Sequence, residues 1–398
     1  VLVLEITQRR STAALRNSLD EWDDLWRRSD TVSPLARAAL VAQWAHRFSP
    51  GNLRVIEVRR DGLLVAALPL VPRRCAGAWK IGTLPFNAWA ACGTLLLDTS
   101  VEPSLIVDRL VDALHELPWP LVRLAPVAID SACWRSFQDA CCRRGLEMVG
   151  ETVDVVGQVE IGDDWREYRS RWSRNHRCQM DKALRRARLA GELELDVHRE
   201  FDARDIEPLL RLGFEIEDRS WKGEAGTSVL RTPGMFDFFL HQALQLAAWR
   251  QLRLTFLRHN DRPIAFEYGY CAKGTYFSHK VGYDPAYSDY SPGQLLRALL
   301  LERFHEEGDV SVFDFCGPLT SATAKWSTRS YAIGKWLIAP RRLLSRCALG
   351  ARQALVGLRR FLRGQPDAVS ELHLGCSRPI AVAVSRADDE VPCDALHG

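Results

Sequence analysis

The sequence predicts an α/β protein of two similar units, each a mixed, mostly antiparallel sheet flanked by helices. Two observations predict it. The first is a pair of matching hairpins: "LRVIEVRRDGLLVAALPLV" from Leu53 and "LRLTFLRHNDRPIAFEYGY" from Leu252 both read as strand, tight polar turn, strand. Their turns fall at Asp61-Gly62 and Asn260-Asp261, residues that accept the backbone of a two-residue hairpin loop. The second is what surrounds them. Each hairpin follows a helical stretch, "SPLARAALVAQWAHRF" or "GMFDFFLHQALQLAAW". Each then leads to an amphipathic helix, "SLIVDRLVDALHEL" or "GQLLRALLLERFHEE", and to a strand, "PWPLVRLAPV" or "GDVSVFDFCGP". The order helix, strand, turn, strand, helix, strand thus occurs twice, offset by about 200 residues. The plainer alternative is that an α/β chain shows this order by chance. The reading divides the chain into units at 1–150 and 151–340 and a tail at 341–398.

Composition agrees with a two-unit globular chain. Of 398 residues, 47% are apolar and 26% charged, and the net charge of +3 is too small to imply a nucleic-acid binder by itself. The 11 cysteines form no CxxC pair, and the Cys141-Cys142 doublet has no matching His/Cys cluster, so the thiols read as reduced and no metal site is expected. The opening "VLVLEITQRR" is too short an apolar run for a signal peptide, and no run reaches the ~20 residues of a spanning helix. The expectation is a cytoplasmic protein.

The units differ where chemistry would sit. The second has Glu267, His279, Lys280, the turn Ser291-Pro292-Gly293 and Asp314. The first has Leu68 near the Glu267 slot and "AACGTLLLD" where the turn should be. The first unit therefore reads as a structural copy and the second as the active one. Between them, Arg166 to Arg188 reads as one basic helix stopped at Gly191. That charge run is either a solvated face or a face for an anionic partner: cofactor phosphates, a nucleotide-linked sugar, tRNA or a lipid surface.

Ser291-Pro292-Gly293 stands at a helix start. Proline suits the first helical position because its missing N–H would be unpaired there. Ser291 is a good N-cap residue. Gly293 weakens the helix but lets a ligand approach the backbone. With Ser291, the first-turn residues Gly293, Gln294 and Leu295 form a candidate phosphate cradle at the positive end of the helix. A plain loop-to-helix cap is the equal alternative.

From about Arg171 to Pro340 the chain resembles the GNAT acetyltransferases of the CelD/BcsL type and, more distantly, the FemAB aminoacyl transferases, which also have tandem GNAT-like units. The residues that carry the resemblance are "RSWKGEAGTSVL" from Arg219, "DRPIAFEYGY" from Asp261, "HKVGYDPAYSDYSPGQLL" from His279 and "FDFCGP" from Phe313. Relatives often have a Tyr-Lys pair and a Trp after the last strand; here "SATAKWSTRSY" keeps Lys325 and Trp326 without the Tyr. The resemblance implies tandem GNAT-like units and acyl transfer from acyl-CoA, acetyl-CoA first, to an amine or hydroxyl. The thioester is attacked directly, so the enzyme positions two substrates and removes a proton. Glu267, among Phe266, Tyr268 and Tyr270, is the first candidate base, His279 the second, and Asp314 the third member of the set. Each also has a structural reading: an edge Glu, a satisfied strand His, an acceptor that ties a loop. Arg219, Trp221, Lys222, Lys280, Tyr283 and Lys325 are the candidate acceptor-side residues.

The stretch from Ala339 to Gly364 holds seven arginines and no acid, with leucines at roughly helical spacing. A basic amphipathic helix of this kind either lies on an anionic membrane surface, at the inner membrane face here, or docks on the protein. Three functions follow. The first is an acyltransferase acting on a sugar, polysaccharide precursor or lipid-linked envelope acceptor. The second is a FemAB-like transferase using aminoacyl-tRNA. The third is a non-catalytic assembly protein of a polysaccharide system, which requires that Glu267, His279 and Asp314 do not converge.

Overall fold

The computed structural model describes residues 4–75, 79–162, 164–340 and 372–373. The basic tail, apart from Ala339 and Pro340, lies outside the described stretch that ends at Pro340. The chain divides into two units, one formed by residues up to Asp30, Phe48–Val155 and the stretch from Ala332, the other by Thr31–Arg47 and Val156–Tyr331.

The first unit contains β1 (Leu4–Arg9), α1 (Thr12–Arg16), α2 (Leu19–Arg28), β2 (Arg54–Arg60), β3 (Leu63–Cys75), β4 (Trp79–Thr83), the short β5 (Leu96–Leu97), α4 (Pro103–Ala113), β6 (Val122–Ala128), α5 (Ala132–Arg143) and the start of β7 (Glu147–Glu160). The helix α3 (Ala38–Phe48), which sequence order assigns to this unit, packs instead in the second. Its Gln43 donates to the Phe238 carbonyl at 2.7 Å, and the Arg37 guanidinium lies 3.4 Å from the centre of the Trp249 ring.

The second unit contains α6 (Trp165–Ser170), α7 (Arg174–Ala190), β8 (Leu193–His198), α8 (Ala203–Arg219), α9 (Trp221–Glu224), α10 (Met235–Ala248), β9 (Leu252–His259), β10 (Arg262–Ala272), β11 (Thr275–Tyr283), α11 (Pro292–Glu307), β12 (Val312–Pro318) and α12 (Ser321–Ala324). The strand β13 (Arg329–Ala339) follows and continues into the first unit.

Strand pairing repeats. In the first unit β1, β2, β3 and β4 pair antiparallel in turn, β4 pairs β6 in parallel, and β6 pairs β13 antiparallel. In the second, β8, β9, β10 and β11 pair antiparallel in turn, β11 pairs β12 in parallel, and β12 pairs the end of β7 antiparallel. Each sheet is thus mixed and largely antiparallel, with helices flanking it. Both hairpin turns have two residues at positive φ, Asp61 (50°) and Gly62 (83°), Asn260 (49°) and Asp261 (62°). That backbone matches the strand twist, which is why Asn, Asp and Gly stand there.

The basic stretch between the units is two helices, not one. Arg171–Ser173 breaks it, because the Ser173 hydroxyl accepts from the His176 N–H and starts α7 afresh. Gly191 does end α7, but without a left-handed backbone; a Cβ there would stand 2.2 Å from the Asn260 side chain of the neighbouring turn.

In the second unit the sheet is buried on both faces. Phe266 and Tyr268 of β10 meet Phe214 of α8 and Phe239 of α10, with Tyr268 Oη donating to Gln242 at 2.9 Å. On the other face Tyr276 and Phe313 pack with Phe304, Leu296 and Leu300 of α11 and with Trp326.

Candidate active site

The site lies where two parallel strands part. β11 and β12 are laddered at Thr275–Val312, Tyr276–Phe313 and Phe277–Asp314, and there the pairing stops. β11 runs on to Tyr283, while β12 bends through Cys316, at φ 54°, and rejoins β7 at Pro318. On its other edge β11 carries a bulge: Lys280 faces Tyr268 and Ser278 faces Gly269, so His279 is the extra residue. A bulge bends its strand and re-aims the side chains beside it. Both His279 and Lys280 consequently turn to the α8/α10 face. The His279 ring lies 5.6 to 5.9 Å from those of Tyr270, Phe239 and Tyr268, and Lys280 Nζ is 5.6 Å from the Phe239 ring centre.

The end of α8 closes this face. Lys222 Nζ donates to Glu217 Oε1 and to the Val281 carbonyl, both at 2.8 Å. Burial pushes the Lys280 ammonium down to about 8, with Glu217 opposing and Lys222 adding to the shift. Arg219 and Arg262 both reach Asp284 Oδ2 at 3.2 Å, so Arg219 braces the turn after β11. Trp221 is 63% exposed beside Lys222, and Tyr283 is exposed at the end of β11. These residues make one polar and aromatic rim.

Glu267 is elsewhere. Strand alternation sends it to the opposite face from Tyr268, beneath α11 and fully buried, where Tyr276 Oη donates to its Oε1 at 2.8 Å. Burial pushes its carboxyl up, and Arg297, Tyr276 and Ser278 pull it back. Asp314 is committed to its own loop: it accepts from Gln158 Nε2 and the Cys316 N–H at 2.7 Å each. Burial raises its carboxyl as well. The three candidate acid–base groups therefore do not form one constellation. The sheet separates Glu267 from His279, and Asp314 is an acceptor tying down a turn.

The start of α11 differs from the sequence expectation in one respect. Ser291 sits in the left-handed region (φ 52°, ψ 54°) and its side chain makes no cap hydrogen bond, because that backbone turns the hydroxyl away from the first-turn N–H groups. The Ser291 carbonyl instead accepts from Gln294 and Leu295, at 2.9 and 3.1 Å. Leu295 is a core side chain and its N–H, like that of Gln294, is already given to the Ser291 carbonyl, so of the expected cradle residues Gly293 is the one whose backbone stays open to a ligand. A Cβ on Gly293 would meet nothing nearer than Tyr283 Cδ1, at 3.6 Å. The matching helix of the first unit, α4, has a side-chain cap: Glu102 accepts from the Ser104 N–H at 3.4 Å. A carboxylate of the chain stands at one helix start, and no side chain caps the other.

Two residues, His176 and Arg297, escaped the sequence reading. His176, 3% exposed, is held between Trp172 and Trp326, with ring centres 4.5 and 4.6 Å away. The Arg297 guanidinium lies over Phe315 at 5.0 Å and Trp326 at 5.8 Å. Trp326 Nε1 donates to Gln294 Oε1 at 3.2 Å, and its carbonyl accepts from Tyr168 Oη at 2.7 Å. Lys325, next to Trp326, is exposed. A signal was present: Trp165, Tyr168, Trp172 and His176 recur at helical spacing across the break between α6 and α7.

Among the described residues no group of His, Cys, Asp and Glu could hold a metal ion, and no helix is long and apolar enough to cross a membrane. No curated protein matches this chain significantly. Among solved structures the chain is similar to FemX, at 11% identity and a TM-score of 0.54, covering 84% of this chain and 96% of that one. It is similar to the C-terminal domain of a putative lysylphosphatidylglycerol synthetase from Agrobacterium fabrum, at 14% identity and a TM-score of 0.51, covering 86% and 96%. A conserved protein of unknown function from Bacteroides thetaiotaomicron gives 12% identity, a TM-score of 0.52 and coverage of 85% and 100%. At these identities the likeness is one of fold, and it extends over both units. Residues 174–324, which include the parting strands, the bulge and α11, match the family model described as an acetyltransferase (GNAT) domain.

Proposed function

We propose that this protein is an acyl-CoA-dependent acyltransferase of the CelD/BcsL type, moving an acyl group, acetyl first, to an amine or hydroxyl of a sugar, polysaccharide precursor or lipid-linked envelope acceptor. The observation that carries the reading is the uncapped start of α11 beside the gap between β11 and β12. A helix start of this kind takes a diphosphate, with the open backbone at Gly293 allowing close approach. The gap takes an extended arm that has amides of its own and can pair with the strand edges.

The acceptor then approaches from the α8/α10 face, along Trp221, Lys222, Lys280 and Tyr283. An aromatic ring beside cations suits a sugar or an anionic acceptor. The acceptor nitrogen or oxygen attacks the thioester carbonyl, the C–S bond breaks, and CoA leaves as a thiolate that takes up a proton. His279, half-buried at the bulge and on the acceptor face, is the base this geometry favours, since imidazole suits proton transfer near neutrality. Glu267 and Asp314 support the site from within the fold.

The test is direct. Acetyl-CoA binding is measured by calorimetry and thiol release is followed with amino sugars and lipid-linked sugars as acceptors. Saturable CoA binding with acceptor-dependent thiol release supports the reading. Transfer from aminoacyl-tRNA with no CoA binding would overturn it in favour of the FemAB-like reading of the sequence.

A further inference from the structure

We propose that His176, Arg297 and Lys325 form a side-chain binding site for a phosphoryl group, next to but separate from the backbone cradle at Gly293. The inference builds on the transferase reading above, and its test measures anion binding without turnover, so the two can fail separately.

The argument starts from three groups that can carry positive charge and are gathered with little to balance them. Both ring nitrogens of His176 and the Nε of Arg297 are shut off from solvent, and none has a hydrogen-bond partner among the described residues. Buried polar atoms are rarely left this way without a ligand or a cost of desolvation. The three walls are aromatic: Trp172 and Trp326 hold the imidazole, and Phe315 and Trp326 lie under the guanidinium. Neither Arg297 nor Lys325 has an ion-pair partner among the described residues. The one carboxyl that acts on Arg297 is Glu267, which burial holds towards its neutral form.

The electrostatics agree. Burial and then the charge of Lys325 press His176 down to about 4, while burial and then Arg297 lower Lys325. The groups that act on the cluster are thus Lys325, Arg297, Glu267 and Tyr168, and the balance favours an incoming anion. A phosphoryl group has three oxygens for three donors arriving from α7, α11 and the end of α12. Lys325 is exposed, which gives the site its opening to solvent.

The probe is inorganic pyrophosphate, added to the full chain while the His176 imidazole is followed by NMR through its pKa. A bound anion should raise that pKa by about one unit or more. Lys325→Met, a change at an exposed position, should weaken pyrophosphate about tenfold. Arg297→Lys keeps the charge, loses the planar fork and should weaken it as well. Competition then identifies the source: displacement by CoA assigns the phosphoryl group to the donor, and simultaneous binding assigns it to a second phosphorylated ligand. A His176 pKa that does not move with saturating pyrophosphate or CoA overturns the proposal, and so does unchanged affinity in folded Lys325→Met. CoA binding with His176 unmoved would sink this site and leave the transferase reading standing. Pyrophosphate binding at His176 with no CoA binding would do the reverse.

Discussion

Tyr276 Oη donates to Glu267 Oε1 at 2.8 Å, and the pair is sealed beneath α11. A carboxyl held this way is raised above its ordinary value, chiefly by burial. The folded protein then binds a proton that the unfolded chain has lost, over the window from the ordinary carboxylate pKa up to the raised one. Stability contributed at this position therefore falls as pH rises through that window. Glu267→Gln, which can still accept from Tyr276, should gain stability relative to the parent as pH climbs above the ordinary carboxylate range and through the raised value. Urea midpoints at several pH values check it, and a difference independent of pH would refute the assignment.

For catalysis the expectation is the opposite of what strand neighbours alone imply. Glu267→Gln should leave turnover within a small factor, whereas His279→Gln should lower it by roughly 10²–10⁴-fold with little change in CoA affinity. If Glu267→Gln alone collapses turnover, the base lies under α11 and the acceptor must reach that face.

Gly293 tests the phosphate cradle. Its φ is not in the left-handed region, and an added Cβ meets only Tyr283 at 3.6 Å, so Gly293→Val should fold. Calorimetry should show a marked loss of CoA affinity, because the branched side chain covers the backbone that the diphosphate approaches. Unchanged affinity would leave α11 with an ordinary helix start.

Gly282 tests the packing that holds the acceptor rim. A Cβ there would stand 2.6 Å from Glu217 Cα and 2.9 Å from its backbone nitrogen, neither of which can rotate aside. Gly282→Ala should cost about 1–3 kcal/mol in denaturant unfolding. The same measurement on Gly293→Ala should show a much smaller change.

What the sequence made legible follows from which features are local. The hairpin turns at Asp61-Gly62 and Asn260-Asp261 are specified by residues that tolerate positive φ, and they appear where expected. The duplicated order of elements is likewise written in periodicity, and the pairing of the two sheets repeats it. The site was harder. A bulge at His279 depends on a one-residue mismatch between two strands, and nothing in "YFSHKVGY" announces it. That mismatch decides which face His279 and Lys280 occupy. The cap at Ser291 failed because residue type fixes what a side chain can do, while its backbone angle decides whether it does. His176 and Arg297 stayed hidden because they meet through tertiary packing, 121 positions apart in sequence.

The crossing of β7 and β13 has a consequence for how such a chain is made. β6 is completed by β13, whose paired residues extend to Ile338, and β12 is completed by the end of β7. During synthesis on the ribosome the earlier half therefore leaves one edge of β6 without its neighbour until almost all the described chain has emerged. An open edge of that kind invites pairing with the wrong partner. It also means that cutting the polypeptide between the units, or exchanging one half between genes, takes away a strand that the other half requires. A duplicated architecture of this form is inherited and folded as a whole.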